Sequence, residues 1–382
     1  MGDLTKVNGV ANADIVKIDG VAAADIQKVD GIDKPSAVTT ATRWLCGTHG
    51  STAVNGDMYT TTETNGASGW VFCIDFSPSL ANVINDIATG KGPEGNKRFI
   101  AHGSHQNNEI HYASASLSTA ELQDEDNWTG VNPDRHADAF GGGPGIAWGN
   151  DVWILGGDKE DMGDGTYDNM FRSTDGGHTW AHIDNNNTIN DNCLAVAYKG
   201  SGGIWLASTQ SHIWKSTDDG ATWADKGALV GTKDIRCICY DGSGRWIAGL
   251  AGGNVWYSDD DGENWTDSTG HGFGGRPILC AVYAKGTINK WVLVGNSGEI
   301  SYSSDASDGS WTNAHVANAS GSYVHLNQVA TDDTTIVVVG NDGTILTSTD
   351  GISWTASTSM SDHIGTLNIR SISHDLIGTG YR

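Results

Sequence analysis

Beyond residue 193 the chain alternates short apolar runs with clusters of turn residues. Leu194–Tyr198, Ile204–Ala207 and His212–Lys215 are runs of four or five residues bounded by Gly, Ser, Thr and Asp, and Trp223 opens a fourth segment. Runs of this length between turn signals predict strands. The order recurs as Ile235–Tyr240, Arg245–Gly249, Val255–Ser258 and Trp265. It recurs again as Leu279–Tyr283, Lys290–Gly295, Ile300–Ser303 and Trp311, and as Leu326–Ala330, Thr335–Gly340, Ile345–Ser348 and Trp354. Four short antiparallel strands per repeat predict one sheet of a radial array, a propeller blade.

Weaker copies precede these four. Val152–Leu155, Met170–Arg172 and Trp180 mark one blade; Arg98–Ala101, Ile110–Tyr112 and Trp128 a second; Arg43–Leu45, Met58–Thr60 and Trp70 a third. The closing tryptophans Trp70, Trp128, Trp180, Trp223, Trp265, Trp311 and Trp354 count seven blades. The earliest blade lacks a first strand ahead of Arg43. Asn368–Ser373 follows Trp354 at the place where a first strand belongs, so the ring is expected to close there. Closure removes free sheet edges.

The link between third and fourth strands carries a motif. It reads Ser173, Asp175, Gly177, Thr179 and Trp180, and then Ser216, Asp218, Gly220, Thr222 and Trp223. A third copy has Ser258, Asp260, Gly262, Asn264 and Trp265. An enlarged copy contains Ser303, Asp305, Gly309 and Trp311, and a shortened one Ser348, Asp350, Gly351 and Trp354. Ser and Asp side chains hydrogen-bond the backbone of tight turns. Glycine supplies a positive φ, and Trp packs on the sheet. This unit resembles the Asp-box, or BNR repeat, of sialidases, sortilin-type receptors, xyloglucanases and photosystem II assembly factors. The first blade has no such box. The expected fold is therefore all-β: a seven-bladed propeller over residues 37–382, preceded by an arm at 1–36.

The arm has its own period. Lys6-Val7-Asn8-Gly9-Val10, Lys17-Ile18-Asp19-Gly20-Val21 and Lys28-Val29-Asp30-Gly31-Ile32 are eleven residues apart. A glycine in each unit argues for short strands and turns over helix. So few units cannot bury a core alone, which predicts docking on a partner. The pattern resembles N-terminal segments of virion proteins from marine tailed phages. That resemblance implies a chain attached to other virion structural proteins through its arm.

Composition narrows the partners. The 22 Lys and Arg stand against 46 Asp and Glu, a formal charge of −24. Such a chain repels phosphate backbones and anionic bilayers, so neither nucleic acid nor membrane insertion is expected. No export signal or long apolar run is visible, and folding in a host cytoplasm followed by assembly into a virion is the expected route. The six cysteines show no zinc spacing and are expected as buried, reduced thiols.

Enzymatic readings find little support. Sialidases carry an Arg-Ile-Pro element ahead of their repeats; here Gly275-Arg276-Pro277 reads as a turn before a strand. Xyloglucanases place their paired carboxylates between two propellers, and one is present. The acidic stretch 158–168 lacks the ligand order of a calcium loop. His102, His105 and His111 are loosely spaced. No cofactor and no metal are expected. Binding is expected on the face opposite the Asp-boxes, in the segments 47–57, 156–169, 183–192, 270–276 and 314–325. Asp161, Asp164, Tyr167, Asn185, Asn186, Phe273 and Tyr323 are the candidate contacts there, suited to a host glycan or protein. The leading expectation is a non-enzymatic virion protein. The alternatives are a protein-binding propeller similar to photosystem II assembly factors, and a glycoside hydrolase.

Overall fold

The computed structural model describes the paired strands between residues 6 and 33. Within residues 43–374 it describes all but 50–56, 62–65, 67, 76–82, 93–94, 104–109, 132–144, 162–166, 184–188, 230–232 and 358–366. It divides into two units, Met1–Ala41 and Thr42–Arg382.

In the first unit, Lys6–Val7 pairs with Val10–Ala11, Lys17–Ile18 with Val21–Ala22, and Lys28–Val29 with Ile32–Asp33, each antiparallel. The dipeptides between them, Asn-Gly once and Asp-Gly twice, are those that two-residue hairpin turns favour.

The second unit is a seven-bladed propeller. Each blade is a four-stranded antiparallel sheet, and in blades 2 to 7 the strands follow sequence order from the channel outward. Blade 1 is built from Asn368–His374, Trp44–His49, Asp57–Thr61 and Val71–Asp75, so the C-terminal strand closes the ring as the sequence predicts. Blade 2 begins with Ile84–Lys91, blade 3 with Ile146–Gly149, blade 4 with Ala195–Tyr198, blade 5 with Ile235–Tyr240, blade 6 with Ile278–Ala284 and blade 7 with Leu326–Thr331.

The core lies between blades. The buried apolar residues fall into seven clusters, one for each neighbouring pair. Between blades 7 and 1, for example, Val337, Val339 and Ile345 pack on Trp44, Cys46 and Tyr59. The second strands are buried along most of their length because both their faces meet a neighbouring blade; Trp246–Leu250 and Ile336–Gly340 are buried at every residue. Most outermost strands are short and polar, as in Thr266–Ser268 and Thr312–His315, whereas Val71–Asp75 of blade 1 is largely apolar. All six cysteines are buried, and none forms a disulfide among the described residues.

Ring closure has a polar lock at the channel wall. Asp86, on the innermost strand of blade 2, accepts from the Ile87 N–H at 2.9 Å and from Gln328 Nε2 of blade 7 at 2.8 Å. Its other oxygen accepts from the Ile146 N–H of blade 3 at 3.3 Å. Gln328 Oε1 in turn accepts from the Ile372 N–H of blade 1. One buried carboxylate and one buried amide thus join the inner strands of four blades across the seam. Buried polar groups of this kind persist only where their bonds are made.

Candidate functional site

The Asp-box turns occupy one face, and their chemistry is directed inward. In blade 4, Ser216 Oγ donates to Asp218 Oδ1 at 2.8 Å and accepts from the Gly220 N–H at 2.9 Å. Asp218 accepts from the Thr222 N–H at 2.9 Å and from Thr222 Oγ1 at 2.7 Å. Trp223 Nε1 donates to the Gly220 carbonyl at 3.0 Å. Blades 3 and 5 repeat this through Ser173, Asp175, Gly177 and Trp180, and through Ser258, Asp260, Gly262 and Trp265. Burial pushes the Asp175 and Asp218 carboxyls up, but the bonds from Thr and Ser outweigh it and hold both below the ordinary carboxylate range. At Asp260 the Asn264 side chain leads the same downward shift. These aspartates are committed to the turns.

The two irregular boxes keep part of this pattern. In blade 7, Ser348 Oγ donates to Asp350 at 3.0 Å and accepts from the Gly351 N–H at 2.8 Å. In blade 6 the residue whose N–H reaches Ser303 Oγ, at 2.9 Å, is Ala306, with φ of 55°. Asp305 accepts from the Ser307 N–H at 3.0 Å. The sequence reading put Gly309 in the glycine role of a box with one extra residue; in the structure Ala306 takes that role. Trp311 Nε1 then donates to Ser268 Oγ of blade 5 at 2.8 Å.

Blade 1 adds a turn that the motif does not reveal. Trp70 Nε1 donates to the Gly66 carbonyl at 2.9 Å, and Gly66 has φ of 59°. This reproduces the Gly–Trp contact of the boxes without their Ser and Asp. In blade 2 the short helix Thr119–Leu122 stands in the same link, and Trp128 Nε1 donates to the Leu122 carbonyl at 3.0 Å.

The innermost strands begin on the opposite face, where the blade-to-blade loops enter them. There they enclose a central cavity of about 360 Å³, to which all seven blades contribute. Five of these strands slip register just after their first or second residue. The residues at the slips are Asn85, Arg236, Leu279, Asn327 and Arg370, and all five line the cavity. A β-bulge re-aims the extra side chain, which places this ring in the channel mouth. Arg236 donates to Asp234 at 2.6 Å, while its Nε is buried and has no partner among the described residues. Asn327 Nδ2 is taken up by Asn341 at 2.9 Å and by the Ile369 carbonyl at 2.7 Å.

The expected contact residues fare differently. Tyr323 is 55% exposed and stacks on His315 with ring centres 3.9 Å apart and planes 19° apart. Its loop is fixed: the Gly298 N–H donates to the Val324 carbonyl at 2.6 Å, and Asn318 Oδ1 accepts from the Ser320 and Ser322 N–H groups. Phe273 is a correction. It is fully buried with Ile278, Leu293 and Trp291, because its loop folds back between blades 5 and 6. Arg276, in that loop, pairs at 2.9 Å with the buried Glu299, a structural tie. Asp161 and Tyr167 lie at paired strand ends, but their side chains are outside the described residues, as are Asp164, Asn185 and Asn186 altogether. His102 is buried with neither ring nitrogen bonded among the described residues, and burial pulls its imidazole down to about 4 against the pull of Asp86. His111 is buried on the adjacent strand, and His105 lies outside the described residues. No cluster of three metal-ligating side chains occurs among the described residues, and no helix of theirs is long and apolar enough to cross a membrane.

Fold and turns together define a seven-bladed Asp-box propeller. Residues 165–375, more than half of the chain, match the sequence profile of the photosynthesis system II assembly factor YCF48 family, and the chain belongs to that family. Among solved structures it is similar to YCF48 bound to a D1 peptide, at 14% identity over 77% of this chain and 93% of that one, with a TM-score of 0.52. It is similar to YCF48 from Cyanidioschyzon merolae at 16% identity over 76% and 88%, with a TM-score of 0.51. The WD40 propeller domain of Doa1 gives 12% identity, 86% and 92%, and a TM-score of 0.52. At such identities the likeness is one of fold. Among curated proteins no sequence matches.

Proposed function

We propose that this chain is a non-enzymatic, protein-binding propeller that holds a peptide or protein segment on the face opposite its Asp-box turns. The observation that carries this reading is membership in a family from which a similarly folded protein has been seen with a D1 peptide bound. The geometry supports the choice of face. The box aspartates are spent on their own turns, whereas Tyr323 stands exposed on a fixed loop and offers a flat aromatic surface. Aromatic side chains held rigid are effective contacts because little conformational freedom is lost on binding. The test is a peptide array probed with the full chain, followed by affinity measurement on the retained peptides. Tyr323→Ala is expected to weaken binding at least tenfold. Retention of no peptide, or equal binding by the variant, would defeat the reading.

A second reading rests on the arm. Its three hairpins, and the resemblance of their sequence to phage virion segments, support a chain carried on a tailed-phage particle. There the arm attaches to other virion structural proteins, and the propeller meets a host glycan or protein. Mass spectrometry of purified particles tests this: the chain at stoichiometric levels favours it, and its absence removes it.

A further inference from the structure

We propose that the channel mouth is a binding site for a small organic anion, a carboxylate with an apolar body, held by Arg236 and Arg370. This goes beyond the peptide reading and does not depend on it, since the cavity lies inside the ring of inner strands.

The first argument is the way the polar groups are satisfied. The wall contains one buried carboxylate, Asp86, and its oxygens are engaged by Ile87, Gln328 and Ile146. Gln328 is engaged at both ends. Arg370 differs. It lines the cavity and has no hydrogen bond or ion pair among the described residues. Its side chain is exposed at the channel mouth, and the partial burial of its guanidinium pulls it down from its ordinary value with no carboxylate opposing. Arg236 is half satisfied: one terminal nitrogen meets Asp234, and the buried Nε meets nothing among the described residues. The buried Arg236 Nε carries a cost that an anion would relieve, and the exposed Arg370 guanidinium offers further donors to the same cavity.

The second argument is placement. Both arginines sit at bulges, the one position of an inner strand whose side chain is released from the sheet's alternation. A single bulge is unremarkable; the same slip in five blades, with all five residues lining one cavity, makes a ring of convergent groups.

The third is shape and lining. Much of the remaining lining is aliphatic, with Val83, Ile146, Val196 and Ile238 beside the already bonded Asp86 and Gln328. A volume of about 360 Å³ falls at the lower end of the range for small-molecule sites, which pair mostly apolar walls with a few fixed polar groups. Guanidinium groups bind carboxylates with paired, charge-assisted bonds, and the aliphatic wall accepts the body of the ligand.

Octanoate and its uncharged counterpart octanol are suitable probes, measured by titration calorimetry on the full chain. Octanoate is expected to bind once per chain, and octanol at least tenfold more weakly. Arg370→Gln should cost at least tenfold in octanoate affinity with an unchanged melting temperature. Arg370→Lys, which keeps the charge and loses the fork, should fall between. Tyr323→Ala should leave octanoate binding as it was, which separates this site from the peptide surface. No octanoate binding, equal binding of octanol, or equal binding by Arg370→Gln would each overturn the proposal. If Arg370→Gln does not fold, Arg236→Gln is expected to show the same loss, and its failure to do so would be equally decisive.

Discussion

Gly220 of blade 4 lies against Ile154 of blade 3, so closely that a Cβ on the glycine would stand 2.5 Å from the Ile154 Cδ1 atom. The other regular boxes repeat the contact: Gly177 meets Ile100 of blade 2, and Gly262 meets Leu206 of blade 4. Gly66 does the same in blade 1, against Val337 of blade 7. The box glycine therefore serves two ends. It turns the chain at positive φ, and it lets each turn seat on the second strand of the blade before it.

Gly220→Ala tests this directly. The substitution strains a φ of 75° and presses on Ile154. A loss of about 2–3 kcal/mol in chemical denaturation is expected. Gly227→Ala is the control, since its φ is 94° but nothing lies within 4 Å; only the backbone part, about 1 kcal/mol, should appear there. Ala306→Gly should act in the opposite sense, gaining up to about 1 kcal/mol by relieving a left-handed alanine.

The side-chain half of the box is tested at Asp218. Asp218→Ala removes the acceptor for the Thr222 N–H, Thr222 Oγ1 and Ser216 Oγ. A loss of about 1–3 kcal/mol is expected by urea denaturation. Because bonding holds the box carboxyls below their ordinary range, their contribution is present above it and fades as pH falls through the folded values. Stability should decline in strong acid, and Asp218→Ala should flatten that decline.

His102 adds a milder acid limb. Its folded value of about 4 lies below the 6.5 of a free imidazole, so the unfolded chain takes up the proton first. Stability is whole above 6.5 and falls as pH drops toward 4, by as much as roughly 3 kcal/mol. His102→Phe should remove this limb from a plot of melting temperature against pH. If the limb persists in the variant, another group is responsible.

The seam lock predicts a coupled pair. Asp86→Ala strands Gln328 and two backbone N–H groups, and about 3 kcal/mol should be lost. Gln328→Ala should cost less, because Asp86 keeps its two backbone donors. The double variant should cost clearly less than the two losses added together, since the partners share one bond. Additive losses would show that the two side chains act separately.

Much of this architecture was legible in the chain. The tryptophan spacing gave the blade count, and the unmatched strand at Asn368–Ser373 gave the closure, because both follow from strand order alone. The bulges were not legible, since a register slip exists only relative to the partner strand. For that reason Arg236 and Arg370 passed as ordinary strand residues. The role of Ala306 was hidden because motif spacing counts residues, whereas the turn selects the one whose N–H meets Ser303. Gly66 was hidden because its turn lacks the Ser and Asp that define the motif. Phe273 misled because a loop rich in glycine reads as exposed, while here glycine lets the loop tuck an aromatic ring between two blades. The exposure of Tyr323 was legible, as that of an aromatic in a long polar loop.

The mixed origin of blade 1 bears on how the ring comes into being during translation. Its three outer strands leave the ribosome before any other part of the propeller, yet the inner strand they pair with, Asn368–His374, is made after all seven blade-closing tryptophans. Until then Trp44–His49 has an open inner edge, and blades 7 and 2 have no completed neighbour between them. The last strand of the ring to be synthesised is thus the one that makes it a ring. A nascent chain that stalls before residue 368 retains an unpaired apolar edge, the feature that chaperones and proteases recognise, so the closing strand distinguishes a finished propeller from an interrupted one.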